Sequence, residues 1–372
     1  MRIAVNTRFL LTDRLEGIGR FTHEVARRLV ERHPEHEFLF LFDRPYNEVF
    51  VYEDNVRPLM LPPPARRAWL WYLWFEWAIP IALKWYKADV FLSMDGYCSL
   101  RSKVPTVMVI HDIAHVHYPE QIPASALRFY QKYLLRYLRR AEKVVTVSEF
   151  CRQDIHQHYQ IPLGKITVAC NAPSPAFQPL PASEKEQIKQ TFTQGEDYFF
   201  YLGALHPRKN IVRLLEAFAL FKQASSSPVK LLIAGRFAWQ TSEIKAAYES
   251  SPVKAAIHFL GYVSDEELPR LVASALALTY VSLFEGFGVP LLEAMQAKVP
   301  VLTSSVSSLP EVAGDAALLV DPTDVSAIAA GMRRLFEEED LRNTLIEKGT
   351  QRVQEYSWER AVEVIESALR LG

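Results

Sequence analysis

The 372-residue chain is expected to fold as two doubly wound α/β domains. Three observations lead there. Short apolar, β-branched runs recur along the whole length, helical patterns separate most of them, and one Pro-rich stretch divides the series in two. Strands alternating with helices imply parallel sheets covered on both faces. A chain of this length also exceeds what one core commonly supports, so two domains are the default.

In the first half the strand-like runs are 3–6, 38–42, 90–93, 107–111, 144–148 and 166–169. In the second half they are 198–203, 230–234, 257–261, 275–280, 299–303 and 317–320. Helical periodicity fills the gaps, for example over 21–32, 211–222 and 265–274. Between the halves, Pro173, Pro175, Pro179 and Pro181 crowd a short polar stretch. Proline removes a ladder donor and fixes φ, so this is a linker. The domains are therefore 1–175 and 184–356, followed by a last helix from Trp358 to Leu371.

Composition narrows the function. Net charge is −1, which gives no general attraction to nucleic acid or anionic lipid. The three cysteines, Cys98, Cys151 and Cys170, form no C-x-x-C pair, as expected for reduced thiols in a cytoplasmic protein. The chain opens on a strand, without a charged n-region and apolar signal core. Trp69–Tyr86 is aromatic and nearly long enough to span a bilayer, but Glu76, Pro80 and Lys84 interrupt it. A spanning helix needs about 20 apolar residues. Two readings remain: a helix packed on the N-terminal domain, or a surface dipping into a membrane interface beside Arg66 and Arg67. The segment from Arg128 to Arg140 adds a basic helix face, which is consistent with a lipid-linked acceptor and peripheral membrane contact.

The most informative segment is Ser282–Met295, which follows an apolar strand. Gly286 and Gly288 let a ligand approach the backbone, and Pro290 suits the first turn of a helix. Free amides at such a helix start suit a pyrophosphate. Glu293 is placed to accept from a ribose, and Glu285 faces what lies beyond the phosphates. A strand–loop–helix unit whose glycines only make a turn would look similar, so the companions decide. In open α/β sheets ligands bind outside the carboxyl ends of the strands. Gly17-Ile18-Gly19, His111, Ser148, Gly203 with Arg208 and Lys209, Gly235 and Glu285 all fall there. Gly17 and Gly19 precede a helix expected to begin near Arg20 or Phe21. Arg208 and Lys209 suit a leaving diphosphate, on which charge builds as a glycosidic bond breaks. Asp112 either fixes the His111 tautomer or orients a helix. His115 and His117 alternate, but no carboxylate geometry marks a metal site. Ser264 reads as an N-cap with Glu267 completing a capping box.

Glu285-x7-Glu293 within FEGFGVPLLEAM resembles the E-x7-E motif of retaining glycosyltransferases of the GT-B fold, family 4. GIGRFTHEVARRL, HDIAHVHYPE, VSEFCRQDI, GALHPRKNI and SLPEVAGDAALLVDP extend the resemblance over nearly the whole chain. It implies two Rossmann-like domains facing across a cleft, with helix 357–372 returning to the first. It implies catalytic roles for Glu285, Lys209, Arg208 and His111, the last contacting the transferred sugar. Donor contacts follow at Gly17, Gly19, Gly203, Gly235, Val263, Phe287, Gly288, Val289 and Glu293. Asp112 and Ser148 fall on the acceptor side, where Asp95, Gly96, Tyr97 and the Trp69–Trp85 segment are also expected. Many relatives carry an arginine where this chain has Ala204; Arg208 is expected to take that role.

Retaining hydrolases use two carboxylates about 5 Å apart. No such pair is evident here, and the resemblance implies a front-face displacement aided by the departing diphosphate. The expected donor is GDP-mannose, because HDIAHVHYPE and GALHPRKN look most like bacterial mannosyltransferases of polysaccharide assembly; a UDP-sugar is the alternative. The expected acceptor is a glycan or lipid-linked glycan. No metal or other cofactor and no nucleic acid are expected, and the location is cytoplasmic, including the inner face of the cell membrane. A GT-B epimerase or phosphorylase is a lesser alternative. An NAD-dependent oxidoreductase would need G-x-G-x-x-G, and Thr22 occupies the third glycine position.

Overall fold

The computed structural model describes residues 1–371 except 13, 14, 16 and 238–240. The chain divides into two units, Met1–Asn171 with Ser357–Gly372 and Ala172–Tyr356. The first is built on β1 (Arg2–Asn6), β2 (Glu37–Phe42), β3 (Val56–Met60), β4 (Val90–Ser93), β5 (Thr106–Val109), β6 (Lys143–Thr146) and β7 (Ile166–Val168). The second is built on β8 (Tyr198–Leu202), β9 (Lys230–Ala234), β10 (Ile257–Gly261), β11 (Ala277–Tyr280), β12 (Val301–Ser304) and β13 (Leu318–Val320).

All pairings are parallel, in the orders β3-β2-β1-β4-β5-β6-β7 and β10-β9-β8-β11-β12-β13. The strand order reverses between β1 and β4 in one sheet and between β8 and β11 in the other. These are the topological switch points at which doubly wound sheets bind ligands. Parallel strands buried on both faces read as unbroken apolar runs. FLFLF in β2 and YFFY in β8 are such runs, and both are buried.

One strand lies outside the sequence expectation. β3 (VRPLM) carries Arg57 and Pro58 and has exposed and half-buried positions. Proline is tolerated there because β3 is the sheet's edge, where one side needs no ladder donor. An edge strand of mixed polarity does not display the apolar run of its buried neighbours. One helix start also differs. The first helix spans Gly17–Arg32, so the two glycines lie in its opening turn and not before it. Gly19 sits there because a Cβ would come 2.6 Å from the Phe9 carbonyl oxygen.

The last helix, Trp358–Leu369, is capped by Ser357, whose hydroxyl accepts from the Arg360 amide. It packs on helix Gly17–Arg32, with the Trp358 and Phe21 rings 6.0 Å apart. Arg28–Glu359 and His33–Glu366 contacts tie the same two helices. The chain thus returns to its first unit after completing the second.

Candidate active site

The second unit concentrates the expected residues at its switch point. β8 leads into a single 3₁₀ turn, Pro207–Lys209, closed by Asn210 at φ 63°. β11 leads into the 282–288 loop and then helix Val289–Gln296. Gly288, at φ 106°, turns the chain into that helix, and Pro290 lies in its first turn. Hydrogen bonds hold these loops to each other and to the segments that follow β12 and β13. The Leu283 amide donates to the Arg208 carbonyl at 2.8 Å. Asn210 Nδ2 donates to the Val281 carbonyl at 2.9 Å and to the Pro322 carbonyl at 2.7 Å. Ser308 Oγ donates to the Glu285 and Phe287 carbonyls, and Ser307 Oγ accepts from the Glu285 amide.

Within this frame Lys209, Tyr280 and Glu285 form a closed triangle. Lys209 Nζ lies 2.5 Å from Glu285 Oε1 and 2.9 Å from the Tyr280 hydroxyl. The Tyr280 hydroxyl donates to Glu285 Oε1 at 2.8 Å. Glu285 is 6% exposed, so its charge needs this company. Burial pushes its carboxyl up, but Lys209 and Arg208 outweigh burial and hold it below the usual range. The Tyr280 phenol moves the other way, raised by burial and by the Glu285 charge. Behind it the Tyr201 ring stacks at 6.0 Å and 13°. The result is an ionised carboxylate and an ammonium held side by side at the mouth of a parallel sheet.

Gly203 and Gly235 end β8 and β9, at φ 143° and 149°. A Cβ on Gly235 would stand 1.9 Å from the Gly203 carbonyl oxygen. Their first task is therefore to let two backbones pass. Glu293 is buried on the helix that Gly288 opens, and Phe287 is buried before it. Val289 is half-buried at the helix start, and Val263 is half-buried beyond β10. The Ser264 hydroxyl accepts from the Glu267 amide at 3.2 Å as expected, although the regular helix begins later, at Leu268.

In the first unit His111 follows β5. Its Nε2–H donates to the Met94 carbonyl at 2.9 Å, and its ring meets Phe21 edge-on at 5.1 Å. Burial lowers its pKa, so it is neutral near pH 7. Nδ1 then carries the lone pair. The Met94 carbonyl thus selects the tautomer, while Asp112 accepts from the amide of Ala114, the first residue of the short helix Ala114–His117. Ser148 is fully buried and caps helix Glu149–Tyr159 through the Cys151 amide. The hydroxyl's structural task is thus the helix cap, beside the acceptor-side role that the resemblance implies for it. Tyr97 is likewise buried, packed on Phe75 at 4.9 Å, and Asp95 is paired with Arg8.

Sequence reasoning passed over Arg8, Tyr280 and Asn210. Arg8 follows β1 and Asp95 follows β4, so their buried ion pair flanks the N-terminal switch point as Lys209 and Glu285 flank the other. The Arg8 guanidinium also lies over the Phe9 and Tyr97 rings, 4.8 Å from each centroid. A basic residue directly after β1 was the available signal. Of the alternating histidines, His117 lies 2.9 Å from Asp154 and His158 lies 3.0 Å from it, whereas His115 meets the Tyr159 hydroxyl. Among the described residues that trio and His33, Glu35, His36 are the groups with metal-ligand spacing. Neither includes a residue of the Lys209–Tyr280–Glu285 triangle.

Comparison with known proteins follows the division of the chain. The Glycosyltransferase Family 4 profile matches residues 15–175, and Glycosyl transferases group 1 matches residues 182–352. O-antigen chain mannosyltransferase B of Escherichia coli is 30% identical over 380 residues, covering 96% of each chain. The chain belongs to the family 4 glycosyltransferases. O-antigen chain mannosyltransferase RfbU of Salmonella typhimurium is 28% identical over 74% of this glycosyltransferase and 72% of its own length. Among solved structures, WaaG, a glycosyltransferase involved in lipopolysaccharide biosynthesis, superposes with a TM-score of 0.79 at 18% identity, covering all of both chains. Anabaena HepE in complex with UDP-glucose superposes at 0.78 and 16% identity, covering 100% of this chain and 99% of that one. At such identities the superpositions establish the GT-B fold.

Proposed function

We propose that this glycosyltransferase moves mannose from GDP-mannose, with retention of configuration, to a glycan or lipid-linked glycan in cell-surface polysaccharide synthesis. The observation that carries the reading is the buried Lys209–Tyr280–Glu285 triangle at the β8/β11 switch point, next to the start of helix Val289–Gln296. The names of the O-antigen mannosyltransferases that the chain resembles support the sugar and the pathway class.

In this reading the diphosphate lies against Lys209, Arg208 and the amides opening helix Val289–Gln296. The acceptor hydroxyl forms a bond to the anomeric carbon on the face from which the diphosphate leaves. The carbon–oxygen bond to the diphosphate breaks, and the acceptor proton passes to the departing phosphate oxygen. The protein supplies position and charge more than covalent chemistry. Glu285 orients the sugar, Glu293 holds the ribose, and neutral His111 is a hydrogen-bonding group for the sugar. Cationic side chains take the part that a metal ion plays elsewhere, so turnover is expected to survive EDTA.

The test is a donor panel of GDP-mannose, UDP-glucose and UDP-N-acetylglucosamine with EDTA present, reading nucleoside diphosphate release and the anomeric configuration of the product by NMR. Release of GDP from GDP-mannose with an α-linked product supports the reading. Turnover confined to a UDP-sugar, or an inverted product, overturns it.

A further inference from the structure

Residues 68–85 form one unbroken helical run: Ala68–Leu73, a π-helical turn over Trp74–Ala78, and Ile79–Trp85. Its inner face is built from Trp74, Phe75, Ile79, Ala82 and Leu83, all buried in the core of the first unit. Trp71 and Trp74 donate their indole N–H groups to the Ala65 and Leu61 carbonyls, so the helix is firmly seated.

The outer face is a row of large apolar side chains at intervals of four: Trp69, Leu73, Trp77, Ile81 and Trp85. They are exposed by 60%, 37%, 48%, 59% and 79%. In a regular α-helix a four-residue interval drifts about 40° per step, because a turn takes about 3.6 residues. The wider π turn, marked by the Ile79 amide donating to the Trp74 carbonyl, counters that drift. It brings Trp77 back toward the side of Trp69 and Leu73, and all five side chains remain exposed. Isolated exposed apolar residues need no explanation, but an aligned row of five does.

Basic residues stand beside the row. Arg66, Arg67, Arg128 and Lys132, with Trp69 and Tyr133, line an open groove of about 870 Å³ where the start of this helix meets helix Ala124–Arg140. None of these four cations pairs with a carboxylate among the described residues. Arg101 adds its guanidinium 3.9 Å over the Trp77 ring. Helix Ala124–Arg140 has no acidic residue, and Glu76, the one carboxylate on the 68–85 run, is buried and accepts from the Leu100 amide.

We infer that this face docks on an anionic lipid bilayer, with Trp69, Leu73, Trp77, Ile81 and Trp85 inserted at headgroup depth and the Arg66–Arg67–Arg128–Lys132 groove on lipid phosphates. The chemistry selects this occupant over others. Indoles favour the membrane interface, and an amphipathic helix lies in its plane when a basic flank meets anionic lipid. A second copy of the chain would set unpaired cations against unpaired cations. Nucleic acid would use the cations but leave Leu73 and Ile81 in water. Among the described residues no helix is long and apolar enough to cross a membrane, so the contact proposed is peripheral. Docking would hold the enzyme where a lipid-carried acceptor resides; that consequence rests on the proposed function, whereas docking itself does not.

The test is flotation of the full chain with phosphatidylcholine vesicles and with vesicles containing one-third phosphatidylglycerol, without any sugar donor. Binding to the anionic vesicles, weakened by 0.5 M NaCl, is expected. Each basic side chain near such a surface contributes roughly fivefold. The R66Q/R67Q/R128Q variant is therefore expected to lose roughly 10²-fold in partitioning. The W69S/W77S/W85S variant should lose more than tenfold and its lipid-induced blue shift of tryptophan fluorescence. Both variants should keep the wild-type thermal midpoint and the far-ultraviolet circular dichroism of the native fold. Equal binding to neutral vesicles, no binding to either kind, or a lipid-free dimer that the tryptophan variant dissociates would overturn the inference. Because no donor is present, failure here leaves the transferase reading standing, and failure of the donor panel leaves docking standing.

Discussion

Replacing Lys209 with methionine tests whether the triangle at the switch point is as interdependent as its geometry implies. The methionine side chain keeps much of the lysine's volume but leaves the Glu285 carboxylate, 8% exposed at its side chain, without its nearest cation. Breaking a buried pair from one side costs about 3 kcal/mol or more, because a charge is left without compensation. At roughly 2–4 °C per kcal/mol for a domain of this size, the second unit's midpoint should fall by roughly 6–12 °C at pH 8. The sign of the pH dependence should also reverse. In the native protein the Glu285 pKa is below its unfolded value of 4.5, so its stabilising contribution is present above that pH and is lost as pH falls through the folded value. Without Lys209 the burial effect, the largest of the causes, is opposed only by Arg208 and by hydroxyl hydrogen bonds from Tyr280 and Ser282, and the folded pKa should rise above 4.5. Stability then falls as pH rises from 4.5 and is regained on acidification. Urea unfolding of the native protein, K209M, E285Q and the double variant at pH 5 and pH 8 reads this directly. The double variant should recover most of the lost stability while remaining inactive. A K209M variant as stable as the native protein at pH 8, with no gain toward pH 5, would refute the reasoning.

Glu293→Gln should weaken donor affinity in calorimetry, whereas Glu285→Gln should lower kcat far more than donor affinity; unchanged kcat in the latter would sink its assignment. Gly235→Ala should prevent stable folding of the second unit, because its Cβ would meet a carbonyl oxygen at 1.9 Å, whereas Gly261→Ala meets nothing within 4 Å. The Gly261 change pays only for its positive φ, about 1 kcal/mol or slightly more, and thermal melting of both variants separates the two cases. Ser148→Ala removes an N-cap and should cost about 1 kcal/mol in urea unfolding; the KM for the acceptor in the same variant tests the expected acceptor contact, which a raised value supports and an unchanged value refutes.

The two sheets show why some of this was legible. A parallel strand covered on both faces must be apolar throughout, so the runs at Ile3–Asn6, Tyr198–Gly203 and Ala275–Tyr280 announced β1, β8 and β11. Doubly wound sheets bind ligands beyond the carboxyl ends of such strands, which singled out Arg208, Lys209, Glu285 and His111 as candidates before any contact was known. β3 escaped because an edge strand obeys a looser rule, and the helix start at Gly17 escaped because Gly19 in its opening turn answers to the Phe9 backbone and not to local propensity. The capping task of Ser148 was passed over, because a residue at a strand's carboxyl end serves equally as the cap of the next helix.

Local sequence alone determined the alternation of strands and helices, the Pro-rich division and the glycine–proline turn into helix Val289–Gln296, because each depends on residues adjacent in the chain. The tertiary structure decided what depends on distant residues. It set Tyr280 and Glu285 on Lys209, 71 and 76 positions away, and Asp95 on Arg8, 87 positions away. It also decided which indoles of the 68–85 run are buried and which face outward, since a π turn and the packing of Trp74 and Phe75 set the phase of that helix.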